Sequence, residues 1–379
     1  MRVALGIVSL FASGGLQRDC LQVRDALQRR GHHVDLFAGV CQPQVARSQL
    51  VTLLEAPGWT NHGRDARFSH AFQLATRAGY DAIVGFNKLQ DLDVLYCADP
   101  SVLAKPVPAW QRRLPRYRTR LALEEACFGP AAHTHALMLT PAAAQSYREA
   151  WQLCPDRLSV LPPTLAANRE QPQLRTGAQR TSLRAEYGCR DSDMLWLWIA
   201  AQPRTKGLDR VLEALRADSG ARLLVVGLAP GDRSARGFVS LASRLQIEGR
   251  LCWLGPREDI PALMAAADVL VHPARFDTTG QVILEAVVNG LPVITTAACG
   301  FAEHVARGGA GIVLPEPFEA PRLAEALAAA RNSETRRHWT ANALRYASQH
   351  QFTRGFEIAA ETIERIAKER QATGRATGH

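Results

Sequence analysis

Short runs of β-branched and apolar residues alternate with longer stretches of helical period along nearly the whole chain. In the first half the short runs predict strands at Arg2–Val8, Val34–Ala38, Val51–Leu54, Ala82–Gly85, Val94–Cys97, Ala136–Leu139 and Leu158–Leu161. In the second half they predict strands at Met194–Ala200, Arg222–Val226, Leu251–Trp253, Val269–His272, Val293–Thr295 and Gly311–Leu314. Strand and helix in alternation is the pattern of parallel sheets covered by helices. Pro162–Arg190 is polar, contains three prolines and has no clear period, so it reads as a linker. The segment from about Ser333 to His379 is helical by pattern and ends in a polar stretch expected to fray. The expected fold is therefore α/β, with two Rossmann-like domains at residues 1–165 and 166–350. A C-terminal helix and tail at 351–379 is expected to pack back on the first domain, with the ligand cleft between the two.

Composition narrows the class. Hydrophobic residues make up 47% of the 379 and charged residues 21%, which excludes disordered and collagen-like chains. The longest apolar run, Met194–Ala201, is far short of the roughly 20 residues of a membrane span. Met1-Arg2 followed by apolar Val3–Ala12 resembles a short signal peptide, but Gly14-Gly15, a periodic segment Leu16–Arg30 and the run His33–Ala38 complete a βαβ unit that cleavage would destroy. Cys20, Cys41, Cys97, Cys127, Cys154, Cys189, Cys252 and Cys299 form no CxxC pair, as expected of free thiols in a reducing, cytoplasmic setting. The formal net charge is +9, yet only Lys88, Lys105, Lys206 and Lys368 are lysines. Where arginine is the default cation, the position of each lysine becomes informative.

The chemistry concentrates in a few loops. In Ala267–Thr296 a strand ends at His272-Pro273, a glycine-containing loop follows, and a helix opens near Gly280-Gln281-Val282. Free N–H groups at such a helix start favour phosphate. Asp277 and Glu285, eight residues apart, either face one cleft to accept sugar hydroxyls or serve as a helix cap and a solvated acid; spacing alone leaves both readings open. Upstream, Arg204-Thr205-Lys206-Gly207 sits between a strand and a helix, where a lysine either neutralises a departing phosphate or is an ordinary first-turn residue. In the first half Gly14-Gly15-Leu16-Gln17-Arg18-Asp19 lies at a strand-to-helix turn where glycine permits close approach to a diphosphate. Thr60-Asn61-His62-Gly63-Arg64-Asp65, Val84-Gly85-Phe86-Asn87-Lys88 and Ala98-Asp99 are polar at loop positions.

The Asp277-to-Glu285 segment resembles the E-x7-E region of retaining GT-B glycosyltransferases that use nucleotide sugars, with aspartate in place of the first glutamate. Pro203–Arg210 looks like that family's donor-diphosphate element, and Leu254–Asp268 like the loop flanking base and ribose. The four N-terminal motifs, in order along the chain, resemble one subgroup, the lipopolysaccharide core α-1,3-glucosyltransferases acting on an inner-core heptose. The resemblance implies a donor site in the second domain. There Asp277 would contact the hexose, Glu285 the ribose, and Lys206 the diphosphate, assisted by Arg204 or Arg169. Thr205, Gly280, Gln281 and Val282 would complete it, and Gly14 and Gly15 would close over the phosphates from the first domain. Asp19 and Asp99 would lie near the acceptor hydroxyl, with Arg18, Asn61, His62 and Lys88 binding acceptor. UDP-glucose is then a substrate, and neither cofactor nor metal is expected.

Other signals are read as structural. Asp91-Leu92-Asp93 and Asp191-Ser192-Asp193 spell D-x-D just before strands, where acids are common turn residues. His32, His33, His133, His135 and His304 show no ligand spacing. Lys105–Arg120 holds six cations and no acid, interleaved with Trp110 and Tyr117. It suits an anionic membrane surface or a phosphorylated lipid acceptor, and is otherwise a solvated basic loop; the implied glycolipid acceptor favours the inner-leaflet surface, and no nucleic-acid module accompanies it. The expected activity is glucose transfer from UDP-glucose to an inner-core heptose, by a cytoplasmic enzyme peripheral to the membrane. The alternatives are a GT-B transferase with another donor or acceptor, a UDP-sugar epimerase, or a non-catalytic sugar-nucleotide or glycolipid-binding protein.

Overall fold

The structure, a computed structural model, describes residues 1–11, 14–56, 58–190 and 193–376. Asp191 and Ser192 of the second D-x-D lie outside them. Among the described residues thirteen strands form, at the positions the apolar runs predict: β1 Arg2–Leu10, β2 His33–Cys41, β3 Val51–Leu53, β4 Ala82–Gly85, β5 Val94–Cys97, β6 His135–Met138, β7 Leu158–Val160, β8 Met194–Ile199, β9 Ala221–Val226, β10 Leu251–Gly255, β11 Val269–His272, β12 Val293–Thr296 and β13 Gly311–Leu314. They make two wholly parallel sheets, ordered β3-β2-β1-β4-β5-β6-β7 and β10-β9-β8-β11-β12-β13. Parallel strands covered on both faces need continuous apolar sequence, and β4, β5, β6, β11 and β12 are buried at every residue.

The chain divides into two units, one of Met1–Thr164 with the residues from Thr353 onward, the other Leu165–Phe352. In the first, the C-terminal helix Gly355–Ala376 buries Phe356, Ala359, Ala360, Ile363 and Ala367 against Val23, Ala26 and Leu27 of the helix Gly15–Arg29 and the strands beneath. Their spacing is one helical stripe. Arg29 with Glu357, at 2.7 Å, and Arg30 with Glu364, at 2.6 Å, fringe that contact. Exposed pairs of this kind contribute little, so the apolar stripe holds the helix.

The second unit contains a difference from the sequence reading. Residues 165–190 are not a linker: a helix, Gly177–Glu186, and short 3-10 turns wrap the unit. The helix Ile260–Ala266 leaves carbonyls without intrahelical partners. Arg175 donates to the carbonyls of Met264 and Ala267 at 2.8 and 2.9 Å, and Arg184, almost fully buried, to that of Ala266 at 2.9 Å. Asp268 gathers the same layer, accepting from Arg180 at 2.7 Å, Arg184 at 3.1 Å and the Leu195 N–H at 2.8 Å. Leu165, Leu183, Tyr187 and Cys189 also pack on the core, but they are too few and too widely spaced to give the segment a readable period.

Asp268→Ala strands the Arg184 charge in the interior and is expected to cost about 3–5 kcal/mol. Urea unfolding followed by the fluorescence of Trp196 and Trp198, both fully buried in this unit, measures the loss.

Candidate active site

Each sheet reverses its strand order once, between β1 and β4 and between β8 and β11. Loops leaving the carboxyl ends of strands on either side of such a reversal diverge and open a crevice, the usual ligand site of α/β sheets. In the second unit these are the loops after β8 and β11, and they carry Lys206 and Asp277. Lys206 is fixed through its backbone: its N–H donates to the Gln202 carbonyl at 3.0 Å, and its carbonyl accepts the indole N–H of Trp198 at 3.0 Å. The next residue must be glycine, because φ is +73° at Gly207 and a Cβ there would collide with the Pro273 carbonyl. Arg275 laces the loops together, its N–H donating to the Thr205 carbonyl at 2.8 Å and its guanidinium to the Arg204 carbonyl at 2.7 Å and Asp209 at 2.6 Å.

Between these loops one carboxylate oxygen, Asp277 Oδ2, receives Lys206 Nζ at 2.9 Å and His272 Nε2 at 3.0 Å. Lys206 also donates to the Phe276 carbonyl at 3.2 Å. Burial alone would raise the Asp277 carboxyl, but His272 and Lys206 outweigh it and hold it at about 2. Burial likewise opposes the His272 charge, yet hydrogen bonding to Asp277, reinforced by Cys299, pushes the imidazole up to about 9. At neutral pH the three side chains therefore carry one net positive charge. His272, Asp277 and Cys299 present donor atoms within 4.8 Å of one another, as metal ligands do. On the shared oxygen Lys206 already occupies a cationic position.

Asp277 is not a helix cap, since that position belongs to Gly280 (φ +75°) ahead of the helix Gln281–Val288. Glu285 is not solvated: it is buried, with Arg169 Nε 3.8 Å from Oε1. Asn289 fastens the arrangement, donating to the carbonyls of Arg169 and Glu285, each at 2.7 Å. Gln281 and Val282 open the helix, where backbone N–H groups lack intrahelical acceptors. Arg204 is exposed and Thr205 half-buried in the first loop.

In the first unit Gly14 and Gly15 begin the helix after β1. Arg18, half-buried, lies one turn on. Asp19 is buried and accepts the Tyr96 phenol at 3.0 Å. A cavity of about 610 Å³ brings together Asp99 and Lys88 with Asp65, Lys105, Arg116 and Arg120. An adjoining hollow of about 340 Å³ shares Asp65 and Arg120 and adds Asn61. His62, Gly14, Gly15, Arg18 and Asp19 line neither. Burial raises the Asp65 carboxyl against the lowering effect of Arg120 and Arg64. Lys88 is committed inward: its ammonium lies 2.7 Å from the fully buried Glu124 and 2.9 Å from the Pro100 carbonyl. The first D-x-D is likewise occupied, with Asp93 buried and bound by the Ile83 N–H at 2.8 Å and Arg370 at 2.6 Å.

Sequence reasoning missed His272, Asp65, Arg120 and Glu124. His272 had a usable signal, the last residue of a strand five positions before a singled-out acid. Glu124 had none, being one of two adjacent acids in a helix, Glu124 and Glu125.

Two Rossmann-type parallel sheets, with charged loops at the strand-order reversal, define a GT-B enzyme. Residues 179–346 match the family described as Glycosyl transferases group 1. Over 369 residues the chain is 32% identical to the lipopolysaccharide glucosyltransferase WaaG of Escherichia coli, spanning 96% of this chain and 98% of that one. The chain belongs to this glycosyltransferase family. A crystal structure of WaaG, a glycosyltransferase involved in lipopolysaccharide biosynthesis, superposes with a TM-score of 0.89 at 32% identity, covering 95% of this chain and 99% of that one. Anabaena HepE in complex with UDP-glucose matches with a TM-score of 0.74 at 20% identity, covering 98% of this chain and 100% of that one, a likeness of fold.

The raised His272 value fixes a sign. The stabilisation from its proton is fully present below the ordinary imidazole value near 6.5 and is lost as pH rises through about 9. The unfolding free energy of the native protein should fall across that range by an amount on the order of 3 kcal/mol. His272→Asn should start lower and show a flatter profile, with calorimetry from pH 6 to 10 as the measurement. Lys88→Met should cost about 3–5 kcal/mol by leaving Glu124 unpaired. Its activity loss should then follow the folded fraction, read by circular dichroism beside the rate.

Proposed function

We infer that the chain is a retaining hexosyltransferase that moves glucose from UDP-glucose to an inner-core heptose of lipopolysaccharide. The acceptor class and the sugar come from the name of the Escherichia coli relative, and a UDP-sugar donor agrees with the HepE complex. The observation that carries the donor site is the shared Asp277 oxygen with a cation on each side. A lone Lys206–Asp277 pair would be neutral and would repel nothing but attract little. The buried His272 proton makes the cluster a net cation, able to receive the diphosphate while Asp277 stays ionised to accept hexose hydroxyls.

In this reading Lys206, with Arg204 and Thr205 beside it, meets the diphosphate together with the first N–H groups of the Gln281–Val288 helix. Glu285, held by Arg169, takes the ribose hydroxyls. The glycosidic C1–O bond to phosphate breaks as the acceptor oxygen bonds to C1 on the same face. The acceptor proton passes to the departing phosphate oxygen, so no enzymic nucleophile and no metal is required. Asp99 and Asp19 would serve the acceptor side, with Arg18, Asn61 and His62 on the first turns of their helices and Lys88 in the loop after β4. No helix among the described residues is long and apolar enough to cross a membrane. Exposed Trp110 beside Arg112, Arg113 and Arg118 suits contact with an anionic leaflet under the acceptor.

Radiolabel transfer from UDP-glucose, UDP-galactose and UDP-N-acetylglucosamine onto lipopolysaccharide truncated after the inner heptoses tests this. Label should enter from UDP-glucose, fall about 100-fold or more in Lys206→Ala, and show a raised donor KM in Glu285→Gln. Gly15→Ala gives a separate check: nothing lies within 4 Å of a Cβ built there, so the fold has no objection to alanine. Unchanged melting with a raised donor KM would mark backbone approach to the phosphates. Incorporation from another donor alone would overturn the glucose assignment, and none from any would overturn the transfer reading.

A further inference from the structure

The basic stretch 105–120, continuous in sequence, is divided by the fold. Within the helix Pro115–Phe128, Arg116, Arg120 and Leu123 follow a spacing of four and three and fall on one stripe, while Arg118 lies two residues off it. Arg116 and Arg120, with Lys105 from the preceding loop, wall the cavity of about 610 Å³; Trp110, Arg112, Arg113 and Arg118 do not. Half of the stretch therefore faces a built concavity and half faces outward.

The cavity has a definite charge arrangement. Lys88 is neutralised by Glu124, so three cations, Lys105, Arg116 and Arg120, stand against two carboxylates, Asp65 and Asp99. Asp65 feels the Arg120 charge. No carboxylate lies within ion-pair distance of Lys105 or Arg116 among the described residues. The volume falls within the range of small-molecule sites and exceeds what an inorganic anion fills. Acids that accept hydroxyls beside uncommitted cations match a sugar bearing an anionic substituent.

We propose that this cavity is an acceptor subsite for a glycan carrying a phosphate or carboxylate. Lys105 and Arg116 hold the anion, while Asp99 and Asp65 accept hydroxyls of the sugar that bears it. The proposal rests on the reading of the chain as a glycan-directed transferase. It makes the anion a determinant of acceptor choice, separate from the outward cations that face a membrane.

The test compares three soluble, deacylated inner-core glycans: intact, dephosphorylated, and carboxyl-reduced. With the full-length protein and saturating UDP-glucose, removing the recognised anion should raise the acceptor KM about tenfold with kcat nearly unchanged. The glycan that shows the change identifies phosphate or carboxylate as the group. Arg116→Gln with Lys105→Gln should raise KM for the intact glycan by the same factor and abolish the distinction among the three, and Arg116→Lys should restore part of it. The donor KM should not move. Equal KM for all three glycans with the native protein, or a variant effect on the donor KM, overturns the subsite. Should no glycan be glycosylated, the transferase reading fails. Calorimetric titration of the same three glycans then decides the subsite by itself, with tighter binding of the anionic form in its favour and equal binding against it.

Discussion

One carboxylate oxygen sets the electrostatics of the second unit's candidate site. Asp277 Oδ2 is shared by Lys206 and His272, and each of the three depends on the other two. Asp277 is largely shielded from water and would not stay ionised without cations at hydrogen-bond distance. His272 is fully buried and would be neutral without the acid. Lys206 is aimed by the acid and by the Phe276 carbonyl. The backbone around them is fixed to match: the Asp277 N–H donates to the Ala298 carbonyl at 3.1 Å, and its own carbonyl accepts from Gly300 at 3.0 Å. A glutamate at this position would have to fold its extra methylene into a space set by those two bonds. The aspartate is therefore matched to the histidine behind it.

The same reasoning recasts the chain's net charge. A formal +9 invites a search for an anionic macromolecule, yet many arginines are consumed inside the fold. Arg250 donates to the carbonyls of Leu215 and Ala221 near one helix end, at 2.8 and 3.4 Å. Arg157 does so for Cys127 and Thr134, at 2.8 and 3.2 Å. Arg175 and Arg184 close the helix Ile260–Ala266. A planar guanidinium with several fixed donors satisfies groups of unpaired carbonyls that a lysine cannot span. Charge spent this way says nothing about partners. The informative cations are those that cluster without an acid in one run, at 105–120.

The fold was legible because parallel sheets demand continuous apolar strands, and those runs stand out against helical periods. The loops after β1, β8 and β11 were legible for a related reason: glycines and charged residues follow strand ends where a ligand crevice must open. The wrap at 165–190 was not, because it is held largely by guanidinium contacts and its few core-facing apolar residues show no period. The pairing of Lys88 with Glu124 was hidden as well. Its partners are 36 residues apart, on a loop and a helix, and only the packing brings them together. Sequence assigned Lys206 to the diphosphate through the resemblance of Pro203–Arg210 to a donor element, and Lys88 to acceptor binding through the Val84–Lys88 motif.

The structure separates those two lysines by counting what surrounds their acids. Glu124 accepts from Lys88, the Ser101 hydroxyl, the N–H groups of Val102 and Leu103 and the Trp151 indole, at 2.6 to 3.1 Å. Around it a single cation meets a carboxylate already saturated with neutral donors, so the sum of charge is zero and the geometry is closed. Asp277 instead has two cations on one oxygen, leaving a positive charge uncompensated at a loop end. A buried charge without a partner is costly, and its retention has a physical rationale when an anion is the missing partner. The lysine at Glu124 is thus explained by the fold alone, whereas the cluster at Asp277 keeps a charge that its neighbours in the fold do not offset.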